Sequence, residues 1–381
     1  MDHATPPPAA QPPRLWSLDV LRGGCALVVF LSHWHLWSSF APQGSFERFL
    51  RAFGENGYAA FVTLAWPTGG HHPAVICFFV LSGFCIHYPF AKRAHDGLPL
   101  AGWRDYFRRR FLRIMPAYWA ACGLGLVFVA AESLHPSGSP LLALHAIAPP
   151  KEIAVRLTGL SGLYPREIFA GNYLLNTVAV EIVMYAFYPW FHRLALRGHW
   201  AGLGAAFVAM QAAAVLLLPY VTPFWVFNSV LMLGLFWYLG ALAAEGFVRY
   251  GARLRGGWFL LAWAAFLGLK AVPHFYGLNI LRQGVWALVC ALGILWALRR
   301  EELHPESRDR PAIVALRFSG RISYSLYAVH TPAIMLATWV LLVGVGHENY
   351  LVQLAANLVA SVAATLLSYY VVERVFYRPR N

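Results

Sequence analysis

Long apolar runs alternate with short segments rich in charged residues, glycine and proline along the chain. A run of about 17 to 25 apolar residues is long enough to cross the hydrocarbon core of a bilayer as one helix. This pattern predicts an all-α integral membrane protein with about ten transmembrane helices. The predicted spans lie near residues 17–40, 74–91, 111–131, 173–191, 200–218, 225–244, 258–272, 281–298, 318–343 and 351–372.

The composition supports a membrane protein and argues against an ordinary soluble domain. Of the 381 residues, 59% are hydrophobic and only 12% are charged, whereas soluble domains carry about 25% charged residues. The mean hydropathy is +0.53. We therefore predict a disordered, proline-rich cytosolic N-terminus over residues 1–14 and one transmembrane domain over residues 15–377, with no soluble domain attached.

The formal net charge of +13 would suit a nucleic-acid-binding protein, but the positions of the basic residues argue against one. Lys and Arg are concentrated in the connections between apolar runs, which is the bias that keeps basic loops in the cytosol. With the N-terminus inside, 20 of the 30 basic residues fall on cytosolic segments and five on the opposite side. Both termini are therefore predicted to lie in the cytosol, in agreement with an even number of spans.

The longest connection on the predicted outer side runs from about residue 132 to 172 and contains Pro, Gly, Ser and His. We expect it to pack over the outer mouth of the helix bundle rather than to extend freely. The cysteines lie in or beside apolar runs, and their odd number predicts neither a disulfide framework nor a metal site. They are Cys25, Cys77, Cys85, Cys122 and Cys290.

The first predicted span carries four ionisable side chains in an otherwise apolar helix. Such groups are costly at membrane depth and by default face a cavity or a partner. The eleven-residue step from Arg22 to His33 is about three helical turns, which leaves both on one face about 16 Å apart along the axis. Asp19 lies on the same face and can pair with Arg22, whereas His35 points another way. An interfacial arginine and a structural histidine explain the spacing equally well.

Five ordered motifs resemble those of a known family. They are LDVLRG with the Arg22 to His33 spacing, FFVLSGFCI at 78–86, RRRFLRIMPAYW at 108–119, AVEIVMYAFYP at 179–189 and GRISYSLYAVHTP at 320–332. Together they resemble the membrane-bound acyltransferase 3 family, whose members acylate cell-surface carbohydrates and other acceptors. The resemblance extends from residue 18 to about 375. The chain departs from the family pattern at Ile76, where many members carry an acid, and at Val375, where a proline is expected.

The resemblance implies an O-acyltransferase of the inner, cytoplasmic membrane. It would move an acyl group, with acetyl as the first expectation, from cytosolic acyl-CoA to a hydroxyl of a surface glycan or another carbohydrate-containing acceptor. Acyl-CoA would be a co-substrate, and no cofactor would be bound permanently. The expected partners are the lipid bilayer and a carbohydrate or glycolipid acceptor, and no nucleic acid.

A catalytic group follows from this resemblance and from the residue types. His33 would act as the general base that deprotonates the acceptor. Arg22 would hold a donor phosphate or polarise the thioester, and Asp19 would fix its orientation. Glu181 is assigned to the same group because an unpaired carboxylate in the middle of a span would be expensive. A structural pair between Glu181 and a neighbouring Arg or His is the alternative.

Eight other residues are assigned to donor or substrate binding. Arg110 and Arg113 share a helix face at the predicted inner mouth, where forked guanidinium groups suit the phosphates of acyl-CoA; anchoring in the cytosol is the alternative. Ser82 and Gly83 would admit a thin ligand arm or allow close contact between helices. Tyr185 lies one turn beyond Glu181 on the same helix face. The remaining three offer polar groups at helical spacing in the ninth span, for which helix packing is the alternative explanation: Ser323, Tyr324 and His330.

A multispan transporter or a flippase for a glycan or lipid-linked substrate is the rival interpretation, because a transport path would also contain buried Asp, Arg, His and Glu. Paired Gly/Pro-broken spans and internal symmetry would favour it, and the sequence contains no internal repeat. A purely structural membrane protein would leave several ionisable groups at membrane depth unexplained. The sequence therefore favours the acyltransferase.

Overall fold

The structure is a computed structural model that describes residues 15–38, 72–100, 102–217, 220, 229–251, 258–272, 276–346 and 349–376. Every regular element within these ranges is helical. The predicted disordered segment, residues 1–14, lies outside them. The helices are α1 (Trp16–Ser38), α2 (Pro73–His95), α3 (Trp103–Leu134), α4 (Pro140–His145), α5 (Pro150–Leu157), α6 (Leu175–Leu196), α7 (Trp200–Leu217), α8 (Val230–Tyr250), α9 (Trp258–Ala271), α10 (Tyr276–Leu303), α11 (Pro311–Trp339) and α12 (Tyr350–Leu367).

Two of these helices continue beyond their regular ends. A π-helical segment, Val340–Val345, extends α11. A second one, Ser368–Glu373, extends α12 and leads into a last helical turn, Arg374–Phe376. Short 3₁₀ turns lie at Ser161–Leu163 and Pro305–Asp309. Backbone N–H and C=O groups inside a bilayer must form hydrogen bonds within the protein. This explains why the π-helical segments continue α11 and α12 without a break.

Each of the ten predicted spans overlaps a helix, and the parts of them at residues 39–40, 218 and 225–228 lie outside the described residues. Among the described helices, seven are long and apolar enough to cross a membrane, and α9 is a shorter apolar helix of 14 residues. The other two spans are α1 and α6, with 23 and 22 residues, whose apolar character is reduced by side chains such as Asp19, Arg22 and Glu181. The prediction of an all-helical, multispan membrane protein is therefore confirmed. The seven are α2, α3, α7, α8, Leu278–Leu303 of α10, α11 with its extension and Tyr350–Phe376.

The bounds of α2 follow from its local sequence. Pro73 occupies the first helical position, where its missing N–H costs nothing. The preceding His72 accepts a hydrogen bond on Nδ1 from the backbone N–H of Ala74 at 3.1 Å. The helix ends after a basic turn, and Gly97 follows with a positive φ of 68°. Proline at the start and glycine beyond the end are typical signals of helix bounds.

The most extensive helix contacts join α1 to α11 and α2 to α8, and each contains a close backbone approach at glycine. A Cβ atom on Gly320 of α11 would lie 1.9 Å from the carbonyl oxygen of Asp19 on α1. A Cβ atom on Gly83 of α2 would lie 1.9 Å from the carbonyl oxygen of Trp237 on α8. Small residues allow helices to approach this closely in a membrane. These two pairs position α1, α2 and α11 around the site described below.

The connection from residue 132 to 172 packs against the helices, as the sequence predicts. Leu142 of α4 is buried in a cluster with Phe30 and Phe128. The hydroxyl of Tyr118 donates to the backbone oxygen of Arg156 at 2.8 Å, which ties α5 to α3. Hydrogen bonds to the backbone of the connection satisfy groups that burial would otherwise leave unpaired. The connection therefore forms a fixed part of the bundle.

Candidate functional site

A pocket of about 90 Å³ lies between α1, α2, α3, α6 and α11. Its apolar walls include Val75, Phe78 and Val178, and its polar groups come from all five helices. Concave sites with mostly apolar walls and a few convergent polar groups are the usual form of a ligand site. We call it the arginine pocket. Eight of the twelve predicted site residues line it: Arg22, Ser82, Arg110, Arg113, Glu181, Tyr185, Ser323 and Tyr324.

Three guanidinium groups converge on the arginine pocket from α1 and α3. Arg22 Nη1 lies 3.6 Å from Asp19 Oδ1, so the pair that the helix spacing predicts is present. Arg110 lies over the ring of Tyr185 at 5.5 Å and over that of Tyr106 at 5.8 Å. Arg110 and Arg113 are half-buried pocket residues, whereas Arg104, Arg108 and Arg109 of the same basic segment are exposed. Only part of the basic segment therefore faces the pocket.

Glu181 is paired with hydroxyl groups. Ser82 Oγ donates to Glu181 Oε1 at 2.7 Å, and the hydroxyl of Tyr185 donates to the same oxygen. The hydroxyls of Ser82 and Tyr185 lie 3.2 Å apart. The alternative was a structural pair with Arg or His, but the partners that the structure shows for this carboxylate are two hydroxyls from α2 and α6. Ser82 and Tyr185 form one hydrogen-bonded group with Glu181 on the pocket wall.

His33 and His330, which we call the histidine pair, lie outside the arginine pocket. His330 Nδ1 is 2.7 Å from the carbonyl oxygen of Leu326, so this nitrogen is a donor because a carbonyl only accepts. In the neutral ring, His330 Nε2 then accepts from His33 Nδ1 at 2.9 Å. His33 Nε2 in turn accepts from the hydroxyl of Tyr173 at 2.9 Å. The basic nitrogen of His33 therefore faces Tyr173.

One tyrosine separates the histidine pair from the arginine pocket. Tyr327 of α11 lines the pocket, and its ring centroid lies 6.3 Å from that of His330. Its hydroxyl is 2.7 Å from Thr177 Oγ1, and Thr177 also lines the pocket. The Tyr327 ring therefore lies beside both polar groups of the site.

Two of the predicted binding residues lie elsewhere. Gly83 is in contact with the backbone of α8, which is the close helix contact given as the alternative, and its assignment to a ligand arm stays a prediction. His330 contacts His33 and does not line the arginine pocket, and its assignment to donor or substrate binding stays a prediction.

Ser323 and Tyr324 line the pocket but direct their hydroxyls to the backbone. Ser323 Oγ donates to the carbonyl oxygen of Gly320 at 2.8 Å within α11. The hydroxyl of Tyr324 donates to the carbonyl oxygen of Ile114 on α3 at 2.9 Å. Helix packing therefore accounts for both hydroxyl groups. Both residues still form part of the pocket wall.

Sequence reasoning missed Tyr173 and Thr177. Tyr173 is bonded to His33, and Thr177 is bonded to Tyr327. A polar side chain recurs every four residues at Tyr173, Thr177, Glu181 and Tyr185. Residues four apart lie on one face of a helix, so this period was the signal that could have identified both.

The connection beside the histidine pair contains two titratable groups with shifted pKa values. Burial raises the pKa of Glu167 from an ordinary 4.5 to about 7, which the nearby Arg156 partly opposes. Burial lowers the pKa of His145 from 6.5 to about 4. The ring of His145 lies 5.0 Å from that of Tyr173. Burial in this part of the protein therefore disfavours charge on both groups.

Comparison with known proteins identifies one family. The Acyl_transf_3 family model, described as an acyltransferase domain, matches residues 15–373. No curated protein and no solved structure gives a match. The matched range contains all twelve helices, the arginine pocket and the histidine pair.

Proposed function

Because this chain belongs to the acyltransferase 3 family and is a multispan membrane acyltransferase, we propose that it acylates a hydroxyl of a surface glycan or another carbohydrate-containing acceptor. The acyl group, with acetyl as the first candidate, comes from cytosolic acyl-CoA, and the membrane is the cytoplasmic one. The observation that carries the proposal is the convergence of Arg22, Arg110 and Arg113 on one pocket beside the histidine pair.

The arginines are suited to the phosphate groups of the donor. A guanidinium group presents several N–H donors in a planar fork, and its bonds to phosphate oxygens are stronger than bonds between neutral groups. Asp19 orients Arg22, and the Tyr185 ring supports Arg110. Removal of water from the pocket strengthens these interactions. The donor therefore binds with its phosphates toward the arginines and its thioester toward Tyr327.

His33 is suited to the role of general base. The acceptor oxygen attacks the thioester carbonyl carbon, a C–O bond forms and the C–S bond breaks. His33 Nε2 takes the hydroxyl proton and then returns it to the departing CoA thiolate, so no net proton is consumed. The Tyr173 hydroxyl is hydrogen-bonded to this nitrogen in the structure, so the acceptor hydroxyl approaches from the Tyr173 side. A base of this kind contributes about 10²- to 10⁴-fold to the rate.

Glu181 lies in the wall of the arginine pocket. Its carboxylate fixes the hydroxyls of Ser82 and Tyr185 through hydrogen bonds. Fixed polar groups stabilise charge without reorganising during the reaction. We assign Glu181 to positioning: it holds Tyr185, and through the Tyr185 ring it orients Arg110.

The function is tested with purified protein in proteoliposomes and acetyl-CoA labelled in the acetyl group. Transfer of the label from bound acetyl-CoA to an acylated product, with release of unlabelled CoA, supports the proposal. In parallel, surface glycans from cells with and without the gene are compared by mass spectrometry, and one acetyl mass per modified site is expected. A transporter or flippase would move its substrate without consuming acetyl-CoA and would leave the glycan masses equal.

A further inference from the structure

One phenol ring lies between the two polar groups of the site. Tyr327 is buried on α11 and lines the arginine pocket. Its ring lies 6.3 Å from His330, which is three residues further along the same helix. Phe78, another pocket residue, meets the Tyr327 ring edge-on at 5.7 Å. A group that enters from the arginine side therefore meets this ring before it reaches the histidine pair.

The Tyr327 hydroxyl is anchored through Thr177 to the backbone at the start of α6. Thr177 Oγ1 lies 2.7 Å from the carbonyl oxygen of Leu174 and 2.7 Å from the Tyr327 hydroxyl. Since a carbonyl only accepts, Thr177 donates to Leu174 and accepts from Tyr327. Both side chains are buried, so breaking the bond would leave polar groups unpaired. The ring is therefore held across the end of the pocket.

We propose that Tyr327, anchored by Thr177, is a size filter that lets only short acyl groups pass from the arginine pocket to the histidine pair. This inference rests on the proposed function, since it assigns the length of the acyl group that the same pocket delivers. Phe78 and Val178 make the pocket walls apolar beside the Tyr327 ring. In an apolar pocket, one methylene group changes discrimination by about 10- to 200-fold, so one fixed ring is enough to select the acyl group.

The filter has a second effect on the reaction. A closed wall between the thioester and the far side of the bundle keeps water from the reactive carbonyl. Opening the wall therefore admits longer acyl groups and also exposes the thioester to hydrolysis. Hydrolysis breaks the C–S bond, adds water at the carbonyl carbon and releases a carboxylic acid and CoA. Both effects are measurable without knowing the acceptor.

The test uses Tyr327→Ala, which removes the ring, and Thr177→Val, which removes the anchor at nearly constant volume. Purified proteins receive acetyl-, butyryl- or hexanoyl-CoA, and released CoA is measured with a thiol reagent. For Tyr327→Ala we expect the ratio of hexanoyl- to acetyl-CoA turnover to rise by about 10-fold or more, the range of one to a few methylene groups. Thr177→Val should raise the ratio less, because the ring is loosened but still present.

The matched control is Tyr370→Ala, which removes the same ring from an exposed position and should keep the wild-type ratio. If Tyr327→Ala is not recovered as folded protein, Tyr327→Leu replaces it with the same expectation. Normal acetyl-CoA binding with an unchanged chain-length ratio in both the Tyr327 and Thr177 variants overturns the filter. Failure of the wild type to bind any of the three donors would instead overturn the proposed function, and the filter with it.

Discussion

The arginine pocket and the histidine pair satisfy their polar groups by different means. The pocket contains charged groups that are balanced by a carboxylate or aromatic ring: Arg22 by Asp19, and Arg110 by Tyr185. The histidine pair is a neutral chain in which each donor meets one acceptor, from Tyr173 to the backbone of Leu326. Of these two groups, the arginine pocket therefore contains the charged side chains and the histidine pair contains neutral rings.

This difference agrees with the chemistry of the proposed reaction. A phosphorylated donor binds best to cations that the protein holds in place, because water competes with the phosphate for the hydrogen bonds of a mobile side chain. A general base must keep a lone pair, which a neutral imidazole with a defined tautomer provides. The separation by Tyr327 keeps the cations of the pocket from the imidazoles. The predictions below test this division from the largest expected effect to the smallest.

Membrane orientation gives an all-or-none test. Reporter fusions after about residue 100 and after about residue 305 should read cytosolic, and fusions near residue 150 should read external, because the basic residues concentrate on the predicted inner segments. This orientation would place the arginine side at the cytosol, where acyl-CoA is available. An external signal near residue 100 would put the pocket on the wrong side for that donor.

Replacing the base should have the largest effect on the rate. His33→Ala should lower turnover by about 10²-fold or more while acyl-CoA affinity stays nearly unchanged. His35→Ala is the matched control, since it removes a second histidine of the same helix that does not share the face of Arg22. Activity is measured per mole of monodisperse protein, alongside donor affinity. Normal turnover of the His33 variant, or loss of turnover only in the His35 variant, would contradict the role of His33.

Replacing the cations should instead weaken donor binding. Arg110→Ala or Arg113→Ala should lower acyl-CoA affinity by about 10-fold, since a hydrogen bond to a charged group contributes about 1.5–3 kcal/mol. Lysine should restore little, because it lacks the fork. Arg108→Ala is the control, since Arg108 is an exposed residue of the same segment. Equal affinity for the double alanine variant and the wild type would reduce these arginines to cytosolic anchors.

A smaller effect should appear in the pH dependence of stability. The folded-state pKa of Glu167 is about 7 against an ordinary 4.5, so between these values the folded protein holds a proton that the unfolded chain has lost. Its contribution to stability is therefore greatest at low pH and falls as the pH rises through about 7. His145, with a folded-state pKa of about 4 against 6.5, has the opposite sign and acts at lower pH.

The measurement is the thermal midpoint of detergent-solubilised protein at about pH 6.5 and pH 8 in the wild type and in Glu167→Gln, because any contribution from His145 over this interval is common to both proteins. Glu167 is partly solvated, which weakens the effect. We therefore expect the thermal midpoint of the wild type to fall by about 2–4 °C between the two pH values. Glu167→Gln should lose less, because it has no proton to release. An equal loss in both proteins would show that another group controls the pH dependence.

The helices were predictable from the sequence because hydrophobic length alone defines a span. The pairing of Asp19 with Arg22, and the shared direction of Arg110 and Arg113, followed from the three-residue step along one helix. Contacts between helices were not predictable in the same way. The hydroxyl partners of Glu181 come partly from α2, and the partner of His330 comes from α1. These pairings depend on how helices pack, which the spacing within one helix does not encode.

The glycine contact between α1 and α11 has a mechanical consequence. Gly23 and Gly320 bring the two backbones so close that a Cβ on either would overlap the other helix. This contact locks the register of the two helices, because sliding by one residue would force larger side chains into the gap. Arg22 and His33 lie on α1, and Tyr327 and His330 lie on α11, so the locked register fixes the backbone positions of all four relative to one another. In the proposed reaction the acyl group, and not the helix that carries His33, therefore travels the distance between the two parts of the site.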